Sequence, residues 1–435
     1  MAANLPSQLS PQSLGEPVYR GSVQNLYAVP DHPGYIVCET TEAGSVFDVG
    51  SIFKIEGNDI NRAIFRHVMY ARLAKPETWQ RVEEVLLDTH TLGGTWRSQL
   101  MDGTLPAMIE GGAQTHHVGM LDAVTGEIVA QGIPKNPSCY NVVRRFPVMK
   151  PPLRNVMGNF VYDYAQFQQS GTYVVPLEYI VRFGVTSGSS VLKKYETLNE
   201  KERRAFEQEL GLSDPMEAWQ MLDRPIYDLT SKYEPEDRAV TKQEALIMSG
   251  LSAQLFTSTI KMSLLGAWAV RALLEEIGLQ LWDLKWEFAV DGDDLFFVDT
   301  IDADSFRATG TVPVDGCNLI IHYNKQAMRD YYRIICADWY AGVNSAKVEA
   351  AKAGLAFKEM LKAGQAAGRY PHTPVVDPAF LDLQARKTAL IKQHVLGEAD
   401  AATIRAGLEE AGLAEAEFYR AKGKLDELLK LNAMP

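Results

Sequence analysis

The chain has 435 residues, with 46% hydrophobic and 23% charged, and its 43 Lys and Arg stand against 55 Asp and Glu for a formal net charge of -12. This composition excludes a mostly disordered chain, a collagen-like repeat and a disulfide-stapled mini-protein. The acidic balance argues against non-specific nucleic-acid binding but not against a small anionic substrate, which a few local cations suffice to hold.

The segment Met1–Glu16 is polar and lacks the charged and apolar regions of a signal peptide. Residues 17–29 alternate apolar and polar side chains around Gly21, and Tyr35–Thr40 follows the turn signal Asp31-His-Pro-Gly34, predicting a hairpin. Ile60, Ile64, Phe65, Val68, Met69 and Leu73 recur at helical spacing and predict a helix over 58–75. Residues 76–170 are less regular. They hold a helix candidate at Glu77–Leu87, strand candidates around Gly119–Ala130 and a proline-rich stretch, Pro147 to Pro152. Tyr173–Phe183 is a β-rich run, Leu198–Leu210 a charged helix, and Thr241–Ile277 a long helical stretch interrupted near Gly250. Two strands follow, Leu281–Val290 and Leu295–Asp299, joined by the turn Asp291-Gly-Asp-Asp294. Beyond Lys325 the pattern is helical, with a break near Gly368–Pro374.

Strands first and helices last indicate an α+β fold rather than a βαβ series. No GxGxxG follows a strand and no GxxxxGK[ST] occurs, so neither a dinucleotide-binding fingerprint nor a P-loop is indicated. The cysteines, Cys38, Cys139, Cys317 and Cys336, lie far apart and form no metal or disulfide pattern, so they read as reduced thiols in or near the core. No run of 18 apolar residues occurs, so no membrane span and a cytoplasmic location are expected. His116-His117 reads as packing, because neighbours on a strand point opposite ways. Leu425, Leu428, Leu429 and Leu431 offer a packing surface either for the body or for a second copy in a homo-oligomer.

The chemistry concentrates in Trp282–Phe288. On a strand, Asp283, Lys285 and Glu287 share one face while Leu284, Trp286 and Phe288 share the other. The next strand ends in Asp299, and a hairpin brings Glu287 and Asp299 together as a carboxylate pair able to hold Mg²⁺ with phosphate and water. The alternative is a solvated hairpin with an ordinary ion pair. Asp304, Ser305 and Arg307 follow in a loop whose guanidinium suits phosphate. Glu178 and Arg182 share a strand face, and Thr186-Ser-Gly-Ser-Ser190 after them offers amide and hydroxyl donors to an anion.

Nine segments, in chain order, stand out together. They are Tyr19-Arg-Gly-Ser-Val-Gln-Asn-Leu-Tyr27, Ser45-Val-Phe-Asp48, Ile55-Glu-Gly57, Pro176-Leu-Glu-Tyr-Ile-Val-Arg182 and Pro225-Ile-Tyr-Asp-Leu-Thr-Ser-Lys232. Trp282–Phe288, Val298-Asp-Thr300, Asp304-Ser-Phe-Arg307 and Asn324-Lys-Gln-Ala-Met-Arg-Asp330 continue the series. In these segments the chain resembles the SAICAR synthetase family, the phosphoribosylaminoimidazole-succinocarboxamide synthases. The resemblance runs over 17–335, apart from an insertion at 76–170, and leaves 365–435 without a counterpart.

The resemblance implies a two-domain body with an ATP-grasp or kinase-like nucleotide cleft. Its parts would be a tail (1–16), a flap and nucleotide subdomain with the insertion (17–175), a substrate and metal subdomain (176–335) and a C-terminal helical region with an extension (336–435). It implies ATP and Mg²⁺ as cofactors and a ligase that joins the carboxylate of an aminoimidazole ribotide to the amino group of aspartate. Glu287 and Asp299 would hold the metal. Lys285, Asp283 and Lys232 would be catalytic. Glu178, Arg182, Ser189, Asp304, Ser305, Arg307, Lys325 and Arg329 would hold substrate, with Arg182, Ser189 and Arg307 on the ribotide phosphate. Tyr19, Gly21, Ser22 and Gln24 would form the nucleotide flap. Ser22 and Gln24 stand where the family carries cations, Asn58 where it carries lysine, and Thr300 where it carries a second acid. These departures motivate two alternatives: a paralogue ligating another acid or amine in a nucleoside natural-product pathway, and a nucleotide-binding pseudoenzyme.

Overall fold

The computed structural model describes residues 6–234 and 237–434. Two antiparallel sheets organise it. The first has the strand order Tyr19–Arg20, Gln24–Ala28, Tyr35–Thr40, Pro137–Arg144, His117–Asp122, Ile128–Val129. The second runs Ala239–Val240, Gln220–Ser231, Leu177–Val185, Gln280–Asp291, Phe306–Val314, Cys317–His322. The strand Gln280–Asp291 is long enough to serve twice. Its first half pairs with Leu177–Val185 and Phe306–Val314, and its second half pairs with Thr172–Val174 and Asp294–Val298.

Each sheet is covered by a helix whose sequence suits that role. Asn58–Leu73 lies on the first sheet, with Ala63, Ile64, Phe65, Met69, Tyr70 and Leu73 buried. Ala253–Glu275 lies on the second and is apolar almost all round, as a helix enclosed by core is. The expected break at Gly250 is present: Gly250 takes φ +73 and ends the helix Lys242–Ser249 before Ser252 caps the next. The C-terminal helices Pro378–Leu396 and Ala401–Ala421 form a hairpin. The first packs on Asn58–Leu73 and the second on Phe306–Val314.

Several expectations are corrected. The expected hairpin is present between Gln24–Ala28 and Tyr35–Thr40, but Gly21 lies in a separate turn, residues 21–23, that folds Tyr19–Arg20 back onto Gln24–Ala28. Tyr173–Phe183 is two strands, separated at Pro176, which cannot donate to a ladder. Arg307 lies in a strand, Phe306–Val314, rather than in a loop. The segment 76–170 supplies strands on the inner side of the first sheet, directly beside Tyr35–Thr40. From residue 6 the N-terminal tail is not free: Leu9 and Leu14 are buried, and the Leu9 amide donates to Gly126 O at 2.7 Å; residues 1–5 lie outside the described residues. Cys38 is buried, Cys139 and Cys336 half-buried and Cys317 exposed, and all four are free thiols. Leu425 and Leu428 are buried against the chain's own body. Among the described residues no helix is long and apolar enough to cross a membrane.

Candidate active site

The charged face of Gln280–Asp291 lies in the cleft between the two sheets. Lys285 Nζ donates to Glu178 Oε1 at 2.6 Å and to Glu287 Oε1 at 2.7 Å, and lies 3.9 Å from Asp299 Oδ2. Lys232 pairs with the other oxygen of Glu287. Strand register sets this up. Ile180 opposes Lys285, so Glu178 lies diagonal to it, while Asp299 directly follows Val298, the partner of Glu287, just past the strand end. Glu287 is 3% exposed and has both oxygens taken by ammonium groups, whereas the Asp299 side chain is 31% exposed and opens to the cleft. Asp299 also has a left-handed backbone, φ +67, stabilised where Tyr70 Oη donates to its carbonyl at 2.9 Å.

Electrostatics separates the two lysines. Burial pulls the Lys232 ammonium below its usual pKa, with Asp299 only partly opposing. Burial acts the same way on Lys285, but Asp299 and Glu178 outweigh it and raise its pKa, so it stays a firm cation. Burial pushes the Asp299 carboxyl up, yet Lys232, Lys285 and Arg66 together hold it down at about 2.

A second group lies on the same face, toward the start of the strand. Arg182 Nε bonds Asp228 at 2.7 Å, its Nη1 lies 3.2 Å from Asp283, and its Nη2 donates to Ser190 Oγ at 3.1 Å. Arg307 reaches Asp283 at 3.2 Å and Thr186 Oγ1 at 2.8 Å. Ser189 Oγ accepts from the Val191 amide and caps the helix Ser190–Thr197, so the hydroxyl beside Arg182 is that of Ser190.

A cavity of about 250 Å³ gathers Ser22 of the flap, Lys285, Asp299, Asp304, Ser305, Lys325 and Arg329. The other flap positions lie elsewhere. Tyr19 is mostly exposed. The Gly21 amide is spent within the turn, donating to Gln24 O at 2.8 Å, and a Cβ there would meet that same oxygen at 2.9 Å. The glycine therefore serves the turn. Gln24 Oε1 accepts from Arg66 Nη1 at 3.3 Å.

Arg62 and Arg66 are the residues sequence reasoning passed over. One helical turn apart, they reach the fully buried Asp302 carboxylate at 3.2 and 2.9 Å, and Arg62 also reaches Asp304 at 2.7 Å. Their i, i+4 spacing was a legible signal of a shared face. Their acidic partners, some 240 residues away, left no local trace. A cation thus does approach this turn, from the helix Asn58–Leu73. It sets the outcome of a variant. On the expectation that the turn is a nucleotide flap, Ser22→Lys should tighten ADP binding, because Ser22 lines the cavity. Gln24→Lys should instead lower stability, because it sets a cation against Arg66. Calorimetric ADP titration and melting curves of the two variants check this.

His116 and His117 do not point opposite ways. The strand begins at His117, and both rings contact Tyr70, with centroids 5.1 and 5.7 Å from its ring. His67 Nε2 must donate to the Gly132 carbonyl at 2.6 Å, so its Nδ1 accepts from His117 Nε2 at 2.7 Å. Both rings are neutral in this arrangement.

Part of the chain is similar to proteins of a known family. Residues 145–346 match the SAICAR synthetase family. A protein of Archaeoglobus fulgidus with the provisional name phosphoribosylaminoimidazole-succinocarboxamide synthase is 30% identical over 241 residues, 55% of this chain and 65% of its own. The phosphoribosylaminoimidazole-succinocarboxamide synthase of Thermoplasma volcanium is 30% identical over 168 residues, 38% of this chain and 54% of its own. The match thus spans less than two thirds of either relative. The SAICAR synthase of Saccharomyces cerevisiae, solved with SAICAR, aligns at 16% identity over 90% of this chain and 98% of its own, with a TM-score of 0.48.

Proposed function

We propose, from the match of residues 145–346 to the SAICAR synthetase family, that the protein is an ATP-dependent ligase. It joins the carboxylate of a carboxyaminoimidazole ribotide-type nucleotide to the amino group of aspartate and releases ADP and phosphate. One observation carries the reading: Asp283, Lys285 and Glu287 line one face of a rigid strand, flanked by Arg182 and Arg307 toward its start and by Asp299 and Lys232 toward its end. A cation-lined end suits a ribotide phosphate, and the carboxylate and lysine end suits a triphosphate with its metal.

The donor set fits Mg²⁺, which favours carboxylate oxygens and keeps phosphate and water in its shell. Asp299 has the open oxygen and would hold the ion, and Glu287 would join it if phosphate drew Lys232 away. Mg²⁺ there would neutralise phosphate charge. The rest falls to the chain's own groups. Lys285 places a fixed cation beside the reacting carboxylate. Lys232, with its weakened hold on a proton, bonds phosphate oxygens. Arg182 and Arg307 keep the ribotide in register, their charges balanced by Asp228 and Asp283 when no substrate is bound.

The test is incubation with ATP, Mg²⁺, carboxyaminoimidazole ribotide and each amino acid in turn, read by mass spectrometry for ADP and an amide. Formation of the aspartyl amide supports the reading. An amide with another amine only, or ADP without amide, would assign the chain to the diverged paralogue. No ADP in any mixture would leave the pseudoenzyme. The phosphate contacts have their own check. The dephosphorylated nucleoside should bind at least tenfold more weakly than the ribotide, since charge-assisted contacts contribute roughly 1.5–3 kcal/mol each. Equal affinity would show that Arg182 and Arg307 serve another group.

A further inference from the structure

Arg62, Lys285, Lys325 and Arg329 all line the main cavity, but they are held differently. Lys285 and Arg62 are paired with carboxylates. Arg329 makes no ion pair among the described residues, and its Nη1 donates instead to a neutral group, Gln326 Oε1, at 3.2 Å. That amide is itself held. Gln326 Nε2 donates to Asp330 Oδ1 at 2.9 Å, and Asn432 Nδ2 donates to Asp330 Oδ2 at 2.9 Å. The four side chains form one line from the cavity to the C-terminal helix Leu425–Asn432.

Spacing produces the first part of the line. Arg329 and Asp330 stand three and four residues after Gln326 on the helix Gln326–Ile334, so all three share a face. Donor and acceptor roles fix its direction. A carboxylate accepts and a guanidinium donates, so Gln326 turns its NH2 to Asp330 and its oxygen to Arg329. The intervening amide passes on orientation without charge, and Arg329 is steered but not neutralised. Gln326, Asp330 and Asn432 are buried, so little water competes for these bonds. Burial raises the Asp330 pKa, and the Asn432 bond leads the groups that oppose it, ahead of Arg333 and Gln326. The far end of the line is fixed by backbone. Just past Asn432, Ala433 pairs with Leu319, and the Met434 amide donates to Asn318 O at 3.0 Å.

We propose that Asn432 is a positioning residue: through Asp330 and Gln326 it holds Arg329 in the main cavity as an unneutralised cation for the anionic part of a substrate. Which anion that is rests on the proposed ligase reading, whereas the positioning does not. Asn432 lies beyond the matched residues 145–346, and its helix contributes no wall to the cavity. The C-terminal extension thus acts on a site that it does not touch.

The test is calorimetric titration of the full chain with ADP and Mg²⁺, carboxyaminoimidazole ribotide, L-aspartate and inorganic phosphate. Arg329→Met should weaken at least one of them about tenfold or more, the scale of one charge-assisted contact, and so identify the anion that Arg329 meets. Asn432→Leu and Gln326→Met cut the line at two places, which keeps the test decisive if one variant does not fold. Each should weaken that same ligand about fivefold, the scale of one neutral hydrogen bond, and spare the others. In the Arg329→Met background neither should weaken it further, while melting curves still show their cost in stability. A merely structural role would give the same loss in both backgrounds. Exchanging the pair, Asp330→Asn with Asn432→Asp, restores each donor and acceptor in the line and should recover the affinity. No loss in Arg329→Met for any ligand, native affinity in both cut variants, or equal losses with and without Arg329 would overturn the proposal. A loss confined to phosphate or L-aspartate in a protein that does not bind ADP would defeat the ligase reading alone. Amide formation by a protein whose cut variants bind natively would defeat the positioning alone.

Discussion

Glu287→Gln is expected to abolish amide formation and to cost about 3 kcal/mol of stability, the lower end of the range for breaking a buried ion pair. The two losses share one cause. Glu287 is almost fully buried and takes an ammonium on each oxygen. Removing its charge leaves Lys232 underneutralised in a site where burial already weakens its hold on the proton. Lys285 is better protected, because Glu178 and Asp299 remain beside it. The stability loss should therefore sit mainly with Lys232, and Lys232→Met on top of Glu287→Gln should recover much of it without restoring activity. Urea unfolding measures the first effect and mass spectrometry of the reaction mixture the second. Near-native turnover in a folded Glu287→Gln protein would remove Glu287 from the chemistry.

Acid should unfold the protein in the range where histidines titrate. Burial lowers the His116 pKa to about 4, with Asp299 only partly offsetting it, and burial lowers those of His67, His117 and His322 as well. These rings are neutral when folded and bind protons near pH 6.5 when unfolded. Below that value the unfolded state holds more protons, so stability falls as pH falls. It should be flat above pH 6.5 and decline between about 6.5 and 4. His116 alone accounts for roughly 3 kcal/mol, since each tenfold weakening of its proton affinity corresponds to about 1.36 kcal/mol. Asp299 extends the loss further down. Its folded pKa of about 2 lies below the usual 3.8, so its contribution is complete above about 4 and disappears toward 2. Melting temperatures from pH 8 to 4 test this. A melting temperature that holds between pH 6.5 and 4.5 would mean the histidines protonate without unfolding.

Local periodicity carried much of the site. The two-residue repeat of Asp283, Lys285 and Glu287 against Leu284, Trp286 and Phe288 is a property of extended backbone, and the charged face it predicts is the one that meets Glu178, Lys232 and Asp299. The helix near 58–75 and the break at Gly250 were equally local, one set by helical spacing and the other by a glycine able to take positive φ.

What the tertiary structure decided is what depends on partners distant in the chain. Arg62 and Arg66 look like a solvated helical pair until Asp302 is brought beneath them, and only then do they become buried ties between the helix Asn58–Leu73 and the loop before Phe306–Val314. Cys317–His322 was absent from the sequence reading because its side chains are ordered by Phe306–Val314 and by the C-terminal helices over them, not by a turn signature of their own. The 76–170 segment read as an addition because it carried none of the recognised motifs, yet residues 145–170 fall within the family match and its strands complete the first sheet through hydrogen bonds that any extended backbone can make. The placing of Asn432 beside Asp330 likewise follows from helix packing across 102 residues. A sequence determines which groups can line a face, while the fold alone determines which faces meet and which buried atoms find a partner.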